Sequence, residues 1–84
     1  MGEPRSPRHL AFGEAVRAAR IEREMSQENL AAEAGLDRTY VSGIERGERN
    51  PSLTNLLRLT DALGISLSEL AGRAEATGRR SRQR

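Results

Sequence analysis

The groups able to do chemistry in this 84-residue sequence are concentrated in one stretch, QENLAAEAGLDRTYVSGIERGERN at residues 27–50. There Arg38, Thr39, Tyr40, Ser42, Arg46, Arg49 and Asn50 offer guanidinium, hydroxyl and amide groups in close succession. These groups recognise a polar partner by hydrogen bonding, and nothing around them is arranged to make or break a bond. The chain has no Cys, hence no thiol nucleophile, disulfide or cysteine zinc site, and its one histidine, His9, cannot form a histidine cluster. No nucleophile is paired with a base, and no glycine-rich loop of the phosphate-cradling kind is present. The sequence therefore points away from an enzyme, and no metal, cofactor or small-molecule ligand is expected.

The elements that must position these residues are readable from helix-start signals. Four internal starts share one pattern: an apolar residue or Pro, then a small polar cap, then an apolar residue four positions into the helix. They are Met25-Ser26 with Leu30, Leu36-Asp37 with Val41, Pro51-Ser52 with Leu56, and Ile65-Ser66 with Leu70. Ser66 and Glu69 also match a full S-x-x-E capping box, and Gly35, Gly47 and Gly64 stand where helix C-termini need left-handed backbone. A first helix over about residues 9–23 follows from the apolar stripe Phe12, Val16, Ala19. With β-branched and aromatic residues scarce and no alternating run, strands are not expected. The fold class is thus all-α, five short helices in one domain over residues 9–75, with residues 1–8 and the basic tail 76–84 as flexible arms.

Helices two and three are joined by only the Gly35-Leu36 step and must cross steeply as one rigid unit, a helix-turn-helix layout. Ala31 allows close approach, Gly35 supplies the positive φ of the tight turn, and Leu30, Leu36, Val41 and Ile44 clamp the pair to the core. This spacing by itself predicts DNA binding.

Net charge adds little. The formal +2 arises from 14 Arg against 12 acids, and Arg79, Arg80, Arg82 and Arg84 carry the surplus, leaving residues 1–78 at −2. A basic surface must therefore come from where arginines fall on the fold. Size favours dimerisation, because so short a chain buries only about 60% of its unfolded surface. Leu53, Leu56, Leu57, Leu59 and Leu63 span roughly 160° of the fourth helix, an arc that suits either a central helix with several neighbours or an edge kept for a partner. No apolar run approaches the ~18 residues of a membrane span, and Pro4 and Pro7 stand where a signal peptide would be apolar, so a cytoplasmic protein is expected.

From about Phe12 to Leu70 the chain resembles the phage-repressor-like (Cro/C1, XRE-type) helix-turn-helix domains. The resemblance is carried by Arg17-x-x-Arg20, SQENLAAEAG, IERGERNPSL and LTDALGISLSEL. Within that family, LDRTYVSGIERGERNPSL is most similar to the controller proteins of restriction–modification systems. The resemblance implies a homodimeric regulator of double-stranded DNA, with two third helices entering successive major grooves of an inverted repeat. Arg38, Thr39 and Ser42 would touch bases, Arg38 by two bonds to guanine N7 and O6. Gln27, Ser42, Arg46, Arg49 and Asn50 would approach phosphates, and Tyr40 would either pack on the domain or bring its hydroxyl to the DNA backbone. Arg20 and Glu45 are expected as a structural ion pair, and Leu59, Leu63, Ile65 and Leu67, with the outer edge of helix four, as the dimer interface. Arg5 and Arg8 could follow a groove, and Glu28 and Glu33 could face RNA polymerase. A phage-type repressor and a protein-interaction module, such as an antitoxin or adaptor, are the alternatives.

Overall fold

Ser6 opens the first helix: its Oγ accepts the His9 backbone N–H at 3.1 Å, and Pro7 follows as the first helical residue, where a missing N–H costs nothing. The computed structural model describes residues 6–82, with side chains through Gly78. It contains α1 (Pro7–Glu22), α2 (Gln27–Ala34), α3 (Arg38–Glu45), α4 (Leu53–Leu63) and α5 (Leu67–Arg82), with no strand among the described residues. Two boundaries differ from expectation. Helix α1 begins at Pro7, so Arg8 stands in its first turn instead of in an arm. Helix α5 continues through Arg82 and not only to residue 75; it runs beside α1, with Ala74 against the core and Gly78 close to Ala11. Arg5 and Arg84 lie outside the described residues.

The remaining starts use the caps read from sequence, with two differences in detail. The reciprocal capping box is at Ser26, whose Oγ accepts the Asn29 N–H at 3.0 Å while Asn29 Oδ1 accepts the Ser26 N–H at 3.2 Å. At Ser66 the Oγ accepts the Glu69 N–H at 2.9 Å, but the Glu69 carboxylate is turned to Arg73, 2.8 Å away. Asp37 occupies the N-cap position of α3 without a side-chain cap bond. Between α2 and α3, Gly35 is left-handed at φ 72°, and the Leu36 N–H reaches back to the Ala31 carbonyl at 2.9 Å, which closes the tight turn.

The core is one cluster in which Val16, Leu30, Val41, Ile44, Leu59, Leu63 and Leu70 are fully buried. Helix α1 packs along α5 and across α3, and α2 contacts both α3 and α4. The crossing of α1 on α3 depends on Gly13: a Cβ there would stand 2.4 Å from the Ile44 carbonyl oxygen and 2.5 Å from that of Glu45. The wide leucine arc of α4 divides in two. Leu59 and Leu63 face the chain's own core at 0% exposure, so they are not available to a partner; Leu53 and Leu57 stay exposed, at 62% and 44%. Ile65 and Leu67 are half-buried.

Candidate nucleic-acid interface

Helix α3 buries Val41, Gly43, Ile44 and Glu45 and turns Arg38, Thr39, Ser42 and Arg46 outward, residues that share a face at helical spacing. Glu45 anchors this orientation. Arg20 donates to it twice, from Nε to Oε2 at 2.7 Å and from Nη2 to Oε1 at 3.0 Å, and Gln27 Nε2 adds a third bond to Oε1 at 3.0 Å. Arg20 Nη1 also caps the Met25 carbonyl at 2.9 Å. One carboxylate thereby joins α1, α2 and α3, and among the described residues no buried side-chain nitrogen or oxygen lacks a hydrogen bond. The hydrogen bond to Glu45 raises the Arg20 pKa above the ordinary guanidinium value, against a smaller opposing effect of burial.

The outward groups are held loosely. Arg38 keeps 54% of its side chain exposed, and its Nε lies 4.0 Å from Glu28 Oε2, also exposed, a pair too open to contribute much to stability. Thr39 and Asn50 are exposed. Arg46 donates to the Ser42 hydroxyl, and its Nε is 3.1 Å from Glu48 Oε1. Gln27 is half-buried with one amide N–H given to Glu45, so it reaches the surface through its position at the start of α2 more than through a free side chain.

Tyr40 packs on the domain, and its hydroxyl meets a side chain of the same chain. Its ring packs against the core cluster, and its hydroxyl oxygen accepts from Asn55 Nδ2 at 3.1 Å. The Arg49 guanidinium lies over the same ring, 5.8 Å from the centroid, at the range of a cation–π contact. Arg49 reaches it by crossing Gly43, where a Cβ would come within 2.8 Å of Arg49 Cγ. Thr39, Tyr40, Arg49 and Asn55 line one open cleft of about 620 Å³ beside the α2–α3 turn. A smaller cleft of about 180 Å³ brings Arg8, Arg49 and Asn50 together.

In the sequence Gly13, Gly43 and Asn55 are neither helix caps nor clamp positions of the helix-turn-helix. The glycines do carry a signal, because a Gly inside a helix costs about 1 kcal/mol relative to Ala and implies a packing reason. Asn55 carries none, since nothing local relates it to a tyrosine 15 positions earlier.

A recognition helix set on a tight turn, held by a buried ion pair and bearing exposed arginine and hydroxyl groups, defines a helix-turn-helix protein. The helix-turn-helix family matches residues 16–70, and the chain belongs to it. Among its relatives are restriction–modification controllers. The chain is 50% identical over 62 residues to the control protein C.MunI of Mycoplasma sp, covering 73% of this chain and 84% of that one. It is 51% identical to the controller C.AhdI of Aeromonas hydrophila, whose crystal structure superposes with a TM-score of 0.72 over 73% of this chain and 92% of that one. The controller C.Esp1396I, solved as a tetramer on its natural 35 base-pair operator, matches at 32% identity and a TM-score of 0.79 over 87% of this chain and 96% of that one. No described helix is long and apolar enough to cross a membrane, and no metal-binding group of His, Cys, Asp or Glu occurs among the described residues.

Proposed function

We propose that this protein is a sequence-specific regulator of transcription, the controller of a restriction–modification system, binding double-stranded DNA as a homodimer. The exposed face of α3 carries the reading: Arg38 and Thr39 project from the first turn of a helix whose last residue, Glu45, is locked to Arg20 and Gln27. Arg38 is the reader of guanine, Thr39 and Ser42 touch neighbouring bases, and Tyr40, Arg46, Arg49, Asn50 and the start of α2 at Gln27 meet phosphates. Two copies place their α3 helices about 34 Å apart, one helical turn of DNA, which matches an inverted repeat. Ile65, Leu67 and the exposed Leu57 supply apolar surface for the partner copy. Similarity to C.MunI and C.AhdI supports the finer role: control of the protein's own gene and of the endonuclease gene. Glu28 and Glu33, exposed on α2, are available to RNA polymerase for activation.

Selection from a randomised duplex library at physiological salt tests this. The expected product is an inverted repeat whose half-sites are one helical turn apart, with a guanine that Arg38→Ala no longer selects. Recovery of no sequence above background, with no steep loss of binding as salt rises, would overturn it in favour of a protein-interaction module.

A further inference from the structure

The bond between Asn55 and Tyr40 has a direction that matters to an anionic partner. Asn55 Nδ2 is the donor and the phenol oxygen the acceptor, at 3.1 Å. A phenol has one hydrogen to give, and this bond does not use it. The ring is held by its packing against the core, and the Arg49 guanidinium lies over it. Tyr40, Asn55 and Arg49 all line the same cleft.

We infer that Asn55 is a positioning residue for DNA binding: by donating to the Tyr40 oxygen it leaves the hydroxyl hydrogen directed outward, to a phosphodiester oxygen that Arg49 attracts into the same cleft. This rests on the reading of α3 as a DNA-binding element. Phosphodiester oxygens only accept hydrogen bonds, so a Tyr40 hydroxyl whose hydrogen was captured from within would present lone pairs to an anion. Asn55 prevents that arrangement, and it holds the hydroxyl in place before DNA arrives, so the ordering cost is not met on binding.

The test is a double-mutant cycle on the full chain, with the duplex recovered by selection as probe. Wild type, Asn55→Ala, Tyr40→Phe and the double variant are compared for affinity and for melting temperature. Each single variant is expected to weaken binding about 10-fold, the scale of one hydrogen bond to a charged group, and the double variant no further than the singles. Melting temperatures should stay within about 3 °C of wild type, since Ala is favoured in a helix. Asn55→Ser, too short to reach the phenol, serves if Asn55→Ala does not fold. Wild-type affinity in Asn55→Ala overturns the inference. So do single effects that multiply to about 100-fold, which would make Asn55 an independent contact, and a binding loss that only tracks a fall in melting temperature. Should the wild-type protein itself retain no duplex, the DNA-binding reading fails, and this inference with it.

Discussion

Arg20 and Glu45, 25 positions apart, meet through two parallel hydrogen bonds of 2.7 and 3.0 Å, with side chains only 12% and 3% exposed. Removing one member leaves the other charge without its counter-charge in a largely dry site, with only the Gln27 bond to Glu45 or the Met25 carbonyl at Arg20 remaining, a loss of about 3–5 kcal/mol. Arg20→Ala and Glu45→Ala should each lower the melting temperature by more than about 12 °C in a domain this small. A drop of under 3 °C would show the pair to be no stronger than a surface one. The pH dependence follows from the raised Arg20 pKa: a group held above its unfolded value contributes fully below that value and loses its contribution only as pH rises through the folded one. Both values lie in the guanidinium range, so Arg20's contribution should not vary around neutral pH, where its carboxylate partner is ionised, and should fade at the alkaline end only in strong alkali.

Gly13 and Gly43 look alike in sequence and should respond oppositely to the same change. At Gly13 a methyl group would press on two backbone carbonyl oxygens at 2.4 and 2.5 Å, which cannot move without shifting α3 against α1. Gly13→Ala should therefore cost at least about 2–3 kcal/mol, read as a lower midpoint in chemical denaturation. An unchanged midpoint would mean that the crossing has room to spare.

At Gly43 the obstacle is the flexible stem of Arg49, at 2.8 Å. Gly43→Ala should displace Arg49 from Tyr40 and weaken binding to the selected duplex. Stability should hold or rise by up to about 1 kcal/mol through better helix propensity. Undiminished affinity in this variant would show that the placement of Arg49 does not matter to DNA.

Glu24 is the one described non-glycine residue with left-handed backbone, at φ 57°, just after α1. An L-residue there costs about 1–2 kcal/mol, partly offset by the greater unfolded-state entropy of a glycine replacement. Glu24→Gly should raise the melting temperature by a few degrees, and a clear fall would refute the strain.

Leucines along one arc should separate into two phenotypes. Leu59→Ala empties a site that is 0% exposed and should cost about 2–5 kcal/mol whatever the protein concentration. Leu57→Glu and Leu67→Glu should leave the monomer folded and shift sedimentation from dimer to monomer at micromolar concentration. Persistence of the dimer in both would move the interface elsewhere.

What the sequence determined by itself is local in its physics. Helix starts at Ser26, Ser52 and Ser66, and the left-handed stops at Gly35 and Gly64, follow from hydrogen bonds and φ angles spanning a few residues, so they can be read in order along the chain. The helix-turn-helix and the outward position of Arg38 follow from those boundaries and from the apolar spacing of Leu30, Leu36, Val41 and Ile44. The tertiary structure decided whatever depends on which neighbour a face receives. Leu59 and Leu63 share α4 with Leu57, and only the placement of α4 against α2 and α5 gives the first two to the core and leaves the third in solvent. The extent of α5 was not legible either: ATGRRSRQR has no apolar stripe, and α1 lies alongside α5 as far as Gly78, near Ala11. Asn55 is the limiting case. Its partner is 15 residues away and the bond is between two side chains, so no periodicity or cap announces it, and only the meeting of α3, α4 and the Arg49 loop brings a carboxamide, a phenol and a guanidinium into one cleft.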